Sequence, residues 1–315
     1  MNHPIDKVEA REDPAPAGQE GGGGLSAKQI RYLLGFLLLL LVSGILALDH
    51  AFDSRIAGSA ILVVMGLVGY LEFSRMSSGR HLRFSFLPGL LATAVFLVGA
   101  CWQWQTHEEG RLLLGNLGLF QGEQEALVLG VFGLLFLSFV AVLFSGDFLE
   151  RGREVAQAVL GALLFGLLFS FVVRIYCRAD TVFTGAIFVF GIKLTDIGGY
   201  VIGSIMGRTK FLKVSPGKSL EGYIAGLLLT AGWFAGAAHL GYLEPVKIGW
   251  PGGIAFGIIL GVSAAIGDLS ESLMKRLYGV KDSGSLLPEF GGVLDMIDSF
   301  IFSGFVFWVL SCYWS

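Results

Sequence analysis

The chain has 315 residues, 54% of them hydrophobic and 15% charged, with a formal net charge of −3. A soluble globular domain carries about 25% charged residues, so this composition excludes one. The near-neutral balance shows no basic stripe, which excludes a nucleic-acid-binding surface.

Residues 1–27 are polar, with Pro14, Pro16 and Gly21 to Gly24, and read as a disordered cytoplasmic tail. The apolar run that begins near Ile30 is too long for a cleaved signal segment. A helical span needs about 20 apolar residues. Runs of that kind lie near 30–48, 56–73, 84–104, 126–145, 155–176, 182–203, 222–243, 252–274 and 297–314. They are continuous rather than alternating, so the expected fold is all-α and polytopic, with about nine transmembrane helices, and not a β-barrel. Forty-six glycines, far above the soluble norm of about 7%, suit helices that pack closely in lipid. Cys101, Cys177 and Cys312 show no metal-ligand spacing and read as small apolar residues.

Lys and Arg in the loops set the orientation. With the N-terminus inside, the inner segments hold Lys7, Arg11, Lys28, Arg31, Arg75, Arg80, Arg83, Arg151, Arg153, Arg208, Lys210, Lys213, Lys218, Lys275, Arg276 and Lys281. The outer loops hold only Arg55, Arg111, Arg174, Arg178 and Lys247. The N-terminus is therefore expected in the cytoplasm. The acidic loop 105–125 then faces outward as a solvated connector, while loops 204–221 and 275–296 face the cytoplasm. Residues 28–180, poor in intramembrane charge, read as transmembrane scaffold, and 181–315 as the catalytic domain.

Three clusters in that second half can carry chemistry. The first runs Lys193-Leu-Thr195-Asp196-Ile-Gly-Gly-Tyr200. A carboxylate in an apolar run needs a partner. Asp196 either pairs with Lys193 at i−3 or faces a ligand or metal. The second is Ser215-Pro216-Gly217-Lys218-Ser219-Leu-Glu221, a loop entering a helix. Its hydroxyls, amides and single cation suit a phosphate, although the Walker spacing is absent. The third joins Asp268, Glu271, Ser272 and Lys275, one face of a helix, to Gly291, Gly292, Asp295 and Asp298. Two carboxylates from two helices suit Mg²⁺, which takes one or two carboxylates with water and phosphates. Interhelical salt bridges with Lys275 or Arg276 are the plainer alternative.

The stretch from Ser272 to Asp298 resembles the C-terminal signature of the phosphatidate cytidylyltransferase (CDP-diacylglycerol synthase) family. Ser272, Met274, Lys275, Arg276, Lys281, Asp282, Gly284, Leu287, Pro288, Gly291, Gly292, Val293, Asp295, Ile297 and Asp298 match in register. Asp196-x3-Tyr200 and Ser215-Pro216-x-Lys218-Ser219-x-Glu221-Gly222 are similar to two upstream family segments. The likeness covers about 190–300. Phe290 stands where the signature has His, and Met296 where it has Arg. The resemblance implies transfer of a cytidylyl group from CTP to phosphatidic acid, giving CDP-diacylglycerol and pyrophosphate. It also implies Mg²⁺, a second cation such as K⁺, and a homodimer in the lipid bilayer of a bacterial inner membrane. On this reading Asp268 and Asp295 hold the metal. Lys275, Arg276, Lys281, Asp282 and Asp298 form the catalytic set. Asp196, Ser215, Lys218, Ser219, Glu221, Gly291 and Gly292 bind substrate. Two other classes remain open: a CTP-dependent polyprenol or phytol kinase, which would yield CDP and a phosphorylated lipid, and an ion-coupled transporter, which would consume no nucleotide.

Overall fold

The computed structural model describes residues 43–52, 54–78, 86–101, 123–143, 148–178, 182–210, 214–243, 248–284 and 291–313, with single positions at 40, 212 and 246. The polar segment 1–27, most of the acidic connector, Lys213, Leu287, Pro288 and Phe290 lie outside the described residues. Among the described residues the chain is all-helical. Residues 43–51 form α1. Then come α2 (Ile56–Ser78), α3 (Phe86–Ala100) and α4 (Glu123–Leu143). Helix α5 runs from Phe148–Gly161 through a π-helical stretch, Ala162–Leu168, into Phe169–Arg178. Last are α6 (Val182–Met206), α7 (Leu220–His239), α8 (Trp250–Leu277) and α9 (Leu294–Tyr313).

Six of these (α2, α5, α6, α7, α8 and α9) are long and apolar enough to cross a membrane. Two shorter apolar stretches, Phe86–Ala100 and Leu127–Val140, accompany them. The chain is thus an integral membrane protein. Lipid tails are as apolar as leucine, so burying apolar surface between helices gains little there; close contact and hydrogen bonds hold them instead. Helices α6 and α7 show this. An added Cβ at Gly226 would fall 2.5 Å from the Thr195 carbonyl oxygen, so only glycine permits that approach. Beside it Thr195 Oγ1 and Thr230 Oγ1 lie 2.7 Å apart, and Thr230 Oγ1 donates to the Gly191 carbonyl at 3.2 Å.

Antiparallel α6–α7–α8–α9 contacts place the ends of the last two helices together. A chain of edge-on aromatic contacts runs through their centre: Phe188 to Phe307 at 5.0 Å, Phe307 to Phe256 at 5.2 Å and Phe256 to Phe234 at 5.5 Å between ring centroids. One buried apolar cluster joins these rings to Tyr70, Phe73, Phe165 and Phe169 of α2 and α5. The scaffold half and the half bearing the charged clusters therefore share a core.

Asp49, 1% exposed, closes the turn from α1 into α2. Its carboxylate accepts hydrogen bonds from Ser54 Oγ, Ala57 N, Gly58 N and, from the far end of α5, Tyr176 Oη at 2.6 Å. Burial works against its charge, but these four donors hold the carboxyl below its ordinary range.

Candidate active site

The charged groups gather where α8 and α9 meet. Asp268 and Glu271 lie three residues apart on α8, hence on one face. Asp298 faces them from the second turn of α9. One ligand oxygen of each lies within 4.8 Å of the other two. Gly267 makes the meeting possible: a Cβ there would collide with the Asp298 carbonyl oxygen. Glu271 is 2% exposed, and its Oε1 has no hydrogen-bond partner. A buried carboxylate oxygen left unsatisfied is costly. Three carboxylates this close together, one of them with an unsatisfied buried oxygen, fit a hard divalent cation, which prefers oxygen ligands.

Three lysines surround the triad. Lys218 pairs with Asp268 and reaches over the Tyr223 ring, 5.9 Å from its centroid. Burial pushes the Lys218 ammonium below its ordinary value; Asp298, Asp196 and Glu271 act the other way, which puts it in the field of the whole acidic cluster. Lys275 bridges Glu271 Oε2 and Asp295 Oδ1, both at 2.8 Å. Lys193 donates to Asp196 Oδ2 at 2.9 Å and to Ser299 Oγ at 3.0 Å, above the Phe300 ring at 4.9 Å. Ser299 Oγ in turn donates to Asp196 at 3.2 Å, and Ser299 N donates to Asp298 Oδ1 at 2.5 Å. The Lys193–Asp196 pair thus sits directly beside the triad.

The loop from α6 to α7 is fastened at several points. Ser219 is the N-cap of α7 and accepts from Gly222 N at 3.2 Å. Glu221 accepts from Arg208 N at 3.1 Å and from Thr209 Oγ1 at 2.7 Å. The Ser215 carbonyl accepts from Lys218 N at 3.1 Å, and the Gly217 carbonyl accepts from Lys210 Nζ at 2.7 Å. This bracing presents Lys218 toward Asp268.

The turn before α9 is built around Asp295, which accepts from Gly292 N at 2.8 Å and Ser283 Oγ at 2.9 Å. Gly291 has φ +84, a left-handed conformation that suits glycine, and a Cβ there would strike the Asp295 carboxylate. The next two amides, Val293 N and Leu294 N, donate to Glu72 of α2 at 3.1 and 2.8 Å. Arg276, Lys281 and Asp282 are exposed around and beyond the end of α8. Met296 is half-buried against the main apolar cluster.

Comparison with protein families matches residues 29–314 to the cytidylyltransferase family. The chain belongs to this family. Among individual proteins, it is 40% identical over 112 residues to a phosphatidate cytidylyltransferase of Synechocystis sp., covering 34% of this chain and 36% of that one. It is 41% identical over 118 residues to the chloroplastic phosphatidate cytidylyltransferase 5 of Arabidopsis thaliana, covering 36% and 28%. A phosphatidate cytidylyltransferase of Bacillus subtilis is 28% identical over 248 residues, 77% of this chain and 84% of that protein. The match to the Synechocystis and Arabidopsis proteins thus spans about a third of their length, whereas the match to the Bacillus protein is nearly end to end.

Within this member of the cytidylyltransferase family, the structure brings together Asp268, Asp298, Lys218, Asp196 and Lys275 from the sequence-expected set. It places Asp295 one step away, bonded to Lys275, Ser283 and Gly292 rather than grouped with Asp268. The carboxylates grouped with Asp268 are Glu271 and Asp298, whereas sequence reading gave Asp268 and Asp295 to the metal and Asp298 to the catalytic set. The signal was present, since Glu271 shares a face with Asp268. Ser299 and Glu72 carried no local signal beyond, for Glu72, a lone acid in an apolar run.

Proposed function

We propose that this protein transfers a cytidylyl group from CTP to phosphatidic acid, forming CDP-diacylglycerol and pyrophosphate at the cytoplasmic face of a bacterial inner membrane. The observation that carries the reading is the triad Asp268, Glu271 and Asp298, ringed by Lys193, Lys218 and Lys275, in a member of this family. The excess of Lys and Arg in the loops on one side supports the orientation.

The attacking group is the phosphate monoester of the lipid, already an anion at neutral pH, so no dedicated general base is required. One of its oxygens forms a bond to the α-phosphorus of CTP. The bond from that phosphorus to the bridging oxygen of the β-phosphate breaks, and pyrophosphate leaves with the electron pair. The barrier lies in bringing two anions together and in stabilising the leaving group. Asp268, Glu271 and Asp298 would hold a divalent cation such as Mg²⁺, which would supply charge neutralisation for both. Lys218, braced by its loop, exchanges Asp268 for a phosphate oxygen of the nucleotide, while Arg276 and Lys281 draw the triphosphate from solution. Lys193, half-exposed between Asp196 and Ser299, receives the lipid phosphate. Lys275 bridges Glu271 and Asp295. Ser215, Ser219 and Glu221 shape the nucleotide loop. A second cation such as K⁺ and a homodimer complete the reading carried over from the family likeness.

The test is incubation of the protein, purified in detergent, with CTP labelled at the α-phosphate, phosphatidic acid and Mg²⁺. Label in CDP-diacylglycerol with stoichiometric pyrophosphate supports the reading. Free labelled CDP with a newly phosphorylated lipid indicates a kinase. Solute flux in proteoliposomes without nucleotide consumption indicates a transporter.

A further inference from the structure

We propose that Glu72, in the half of the chain that otherwise serves as scaffold, is a positioning residue for the cation site at the other end of the sequence. The inference rests on the cytidylyltransferase reading of that site.

Glu72 lies within the apolar span Ile56–Ser77 and is 4% exposed. A carboxylate buried there is costly unless it is bonded. Its two oxygens take the amides of Val293 and Leu294, 221 and 222 residues downstream. Val293 immediately precedes α9 and Leu294 opens it, where donors have no partner within the helix and the helix dipole favours a negative charge. Glu72 thus caps α9 from a different helix.

The surrounding chain is shaped to admit that carboxylate. A Cβ at Gly284 would fall 2.5 Å from Glu72 Oε1, and one at Gly292 would strike Glu72 Oε2 and Ser283 Oγ. Both sides of the turn therefore close on the acid with no room for a side chain. What the turn delivers is Asp295, the residue directly after Leu294. Gly292 N and Ser283 Oγ fix one oxygen of Asp295, and Lys275 takes the other. Lys275 also holds Glu271, the buried member of the triad. The path from Glu72 to the cation ligands is continuous: α9 turn, Asp295, Lys275, Glu271. Partners that orient metal ligands in this way are worth about 10- to 100-fold in affinity or activity when removed.

The test compares wild type with E72Q and G284A. E72Q removes the charge but keeps the shape. G284A leaves the charge and pushes the carboxylate off its amides. Three quantities are read in the purified protein: the Mg²⁺ concentration giving half the maximal rise in melting temperature, kcat, and the Mg²⁺ concentration giving half-maximal rate. Both variants are expected to need about 10-fold more Mg²⁺ in each measurement, with kcat lower by about 10- to 100-fold at ordinary Mg²⁺ and partly restored by excess. A residue needed only for folding would lower the melting temperature and yield, while the folded fraction kept its wild-type Mg²⁺ dependence; that result overturns the proposal. If E72Q does not fold, G284A decides the matter by the same measurements. If wild type makes no CDP-diacylglycerol, the functional reading fails, yet the Mg²⁺-induced melting shift still decides whether Glu72 positions the cation ligands.

Discussion

Asp298→Asn separates the site's chemistry from its cost. Asp298 is 5% exposed and stands with Asp268 and Glu271 within 4.8 Å. At that distance two carboxylate charges repel by about 3.5 kcal/mol at an effective dielectric of about 20. The substitution removes the repulsion between Asp298 and its charged neighbours when no cation is bound, although Lys218, Lys275 and Lys193 already offset part of it. Asn keeps an oxygen to accept the Ser299 amide, so local geometry is preserved. D298N without Mg²⁺ should therefore melt at a higher temperature than wild type. In wild type a cation at about 100 times its dissociation constant adds about 2.7 kcal/mol of stability; in D298N this rise should vanish. Loss of a charge contribution of about 4 kcal/mol at the transition state lowers kcat by about 10³-fold. The assays are a thermal melt in detergent with and without Mg²⁺, and release of pyrophosphate from CTP and phosphatidic acid. A D298N protein that melts lower, keeps its Mg²⁺ shift and retains activity within threefold would refute the assignment of the triad.

Three further outcomes are expected. Lys193→Met should raise KM for phosphatidic acid about tenfold with little change in KM for CTP, and Lys193→Arg should restore much of it; equal changes in both constants would remove Lys193 from the lipid subsite. Because burial lowers the ammonium of Lys218, the alkaline limb of kcat/KM for CTP should begin below the ordinary lysine range, and Lys218→Arg, which keeps its proton, should move that limb to higher pH. Gly226→Val would force a side chain onto the Thr195 carbonyl and should destabilise the α6–α7 pair by about 1–3 kcal/mol, read as a lower melting temperature.

Hydropathy alone located the spans well where apolar residues run to the helix end. The run 182–203 became Val182–Met206, and 252–274 became Trp250–Leu277. It placed the start of the last helix at 297, three residues late, because Asp295 and the glycine turn made the first turn look like loop. That turn is helical because Glu72 supplies acceptors for its amides, and nothing near 293 in the sequence announces an acceptor from α2. The site was half legible for a related reason. Periodicity shows that Asp268 and Glu271 share a face of α8, and that Asp295 and Asp298 share a face of α9. It does not show which of each pair meets the other helix. The close approach of Gly267 to the Asp298 carbonyl settles that, and puts Asp298 in the triad. The Lys193–Asp196 pair was visible from its i, i+3 spacing, but its link to Ser299 depends on how α6 and α9 pack.

The bond from Tyr176 to Asp49 also sets a clock on assembly. The two residues are 127 positions apart. At about 5–20 residues per second, a ribosome needs roughly 6 to 25 seconds to make the intervening chain. During that interval Asp49 has only the donors of its own turn, Ser54, Ala57 and Gly58. The turn from α1 into α2 is therefore clasped late, when the end of α5 arrives and Tyr176 supplies the last of the four donors to Asp49.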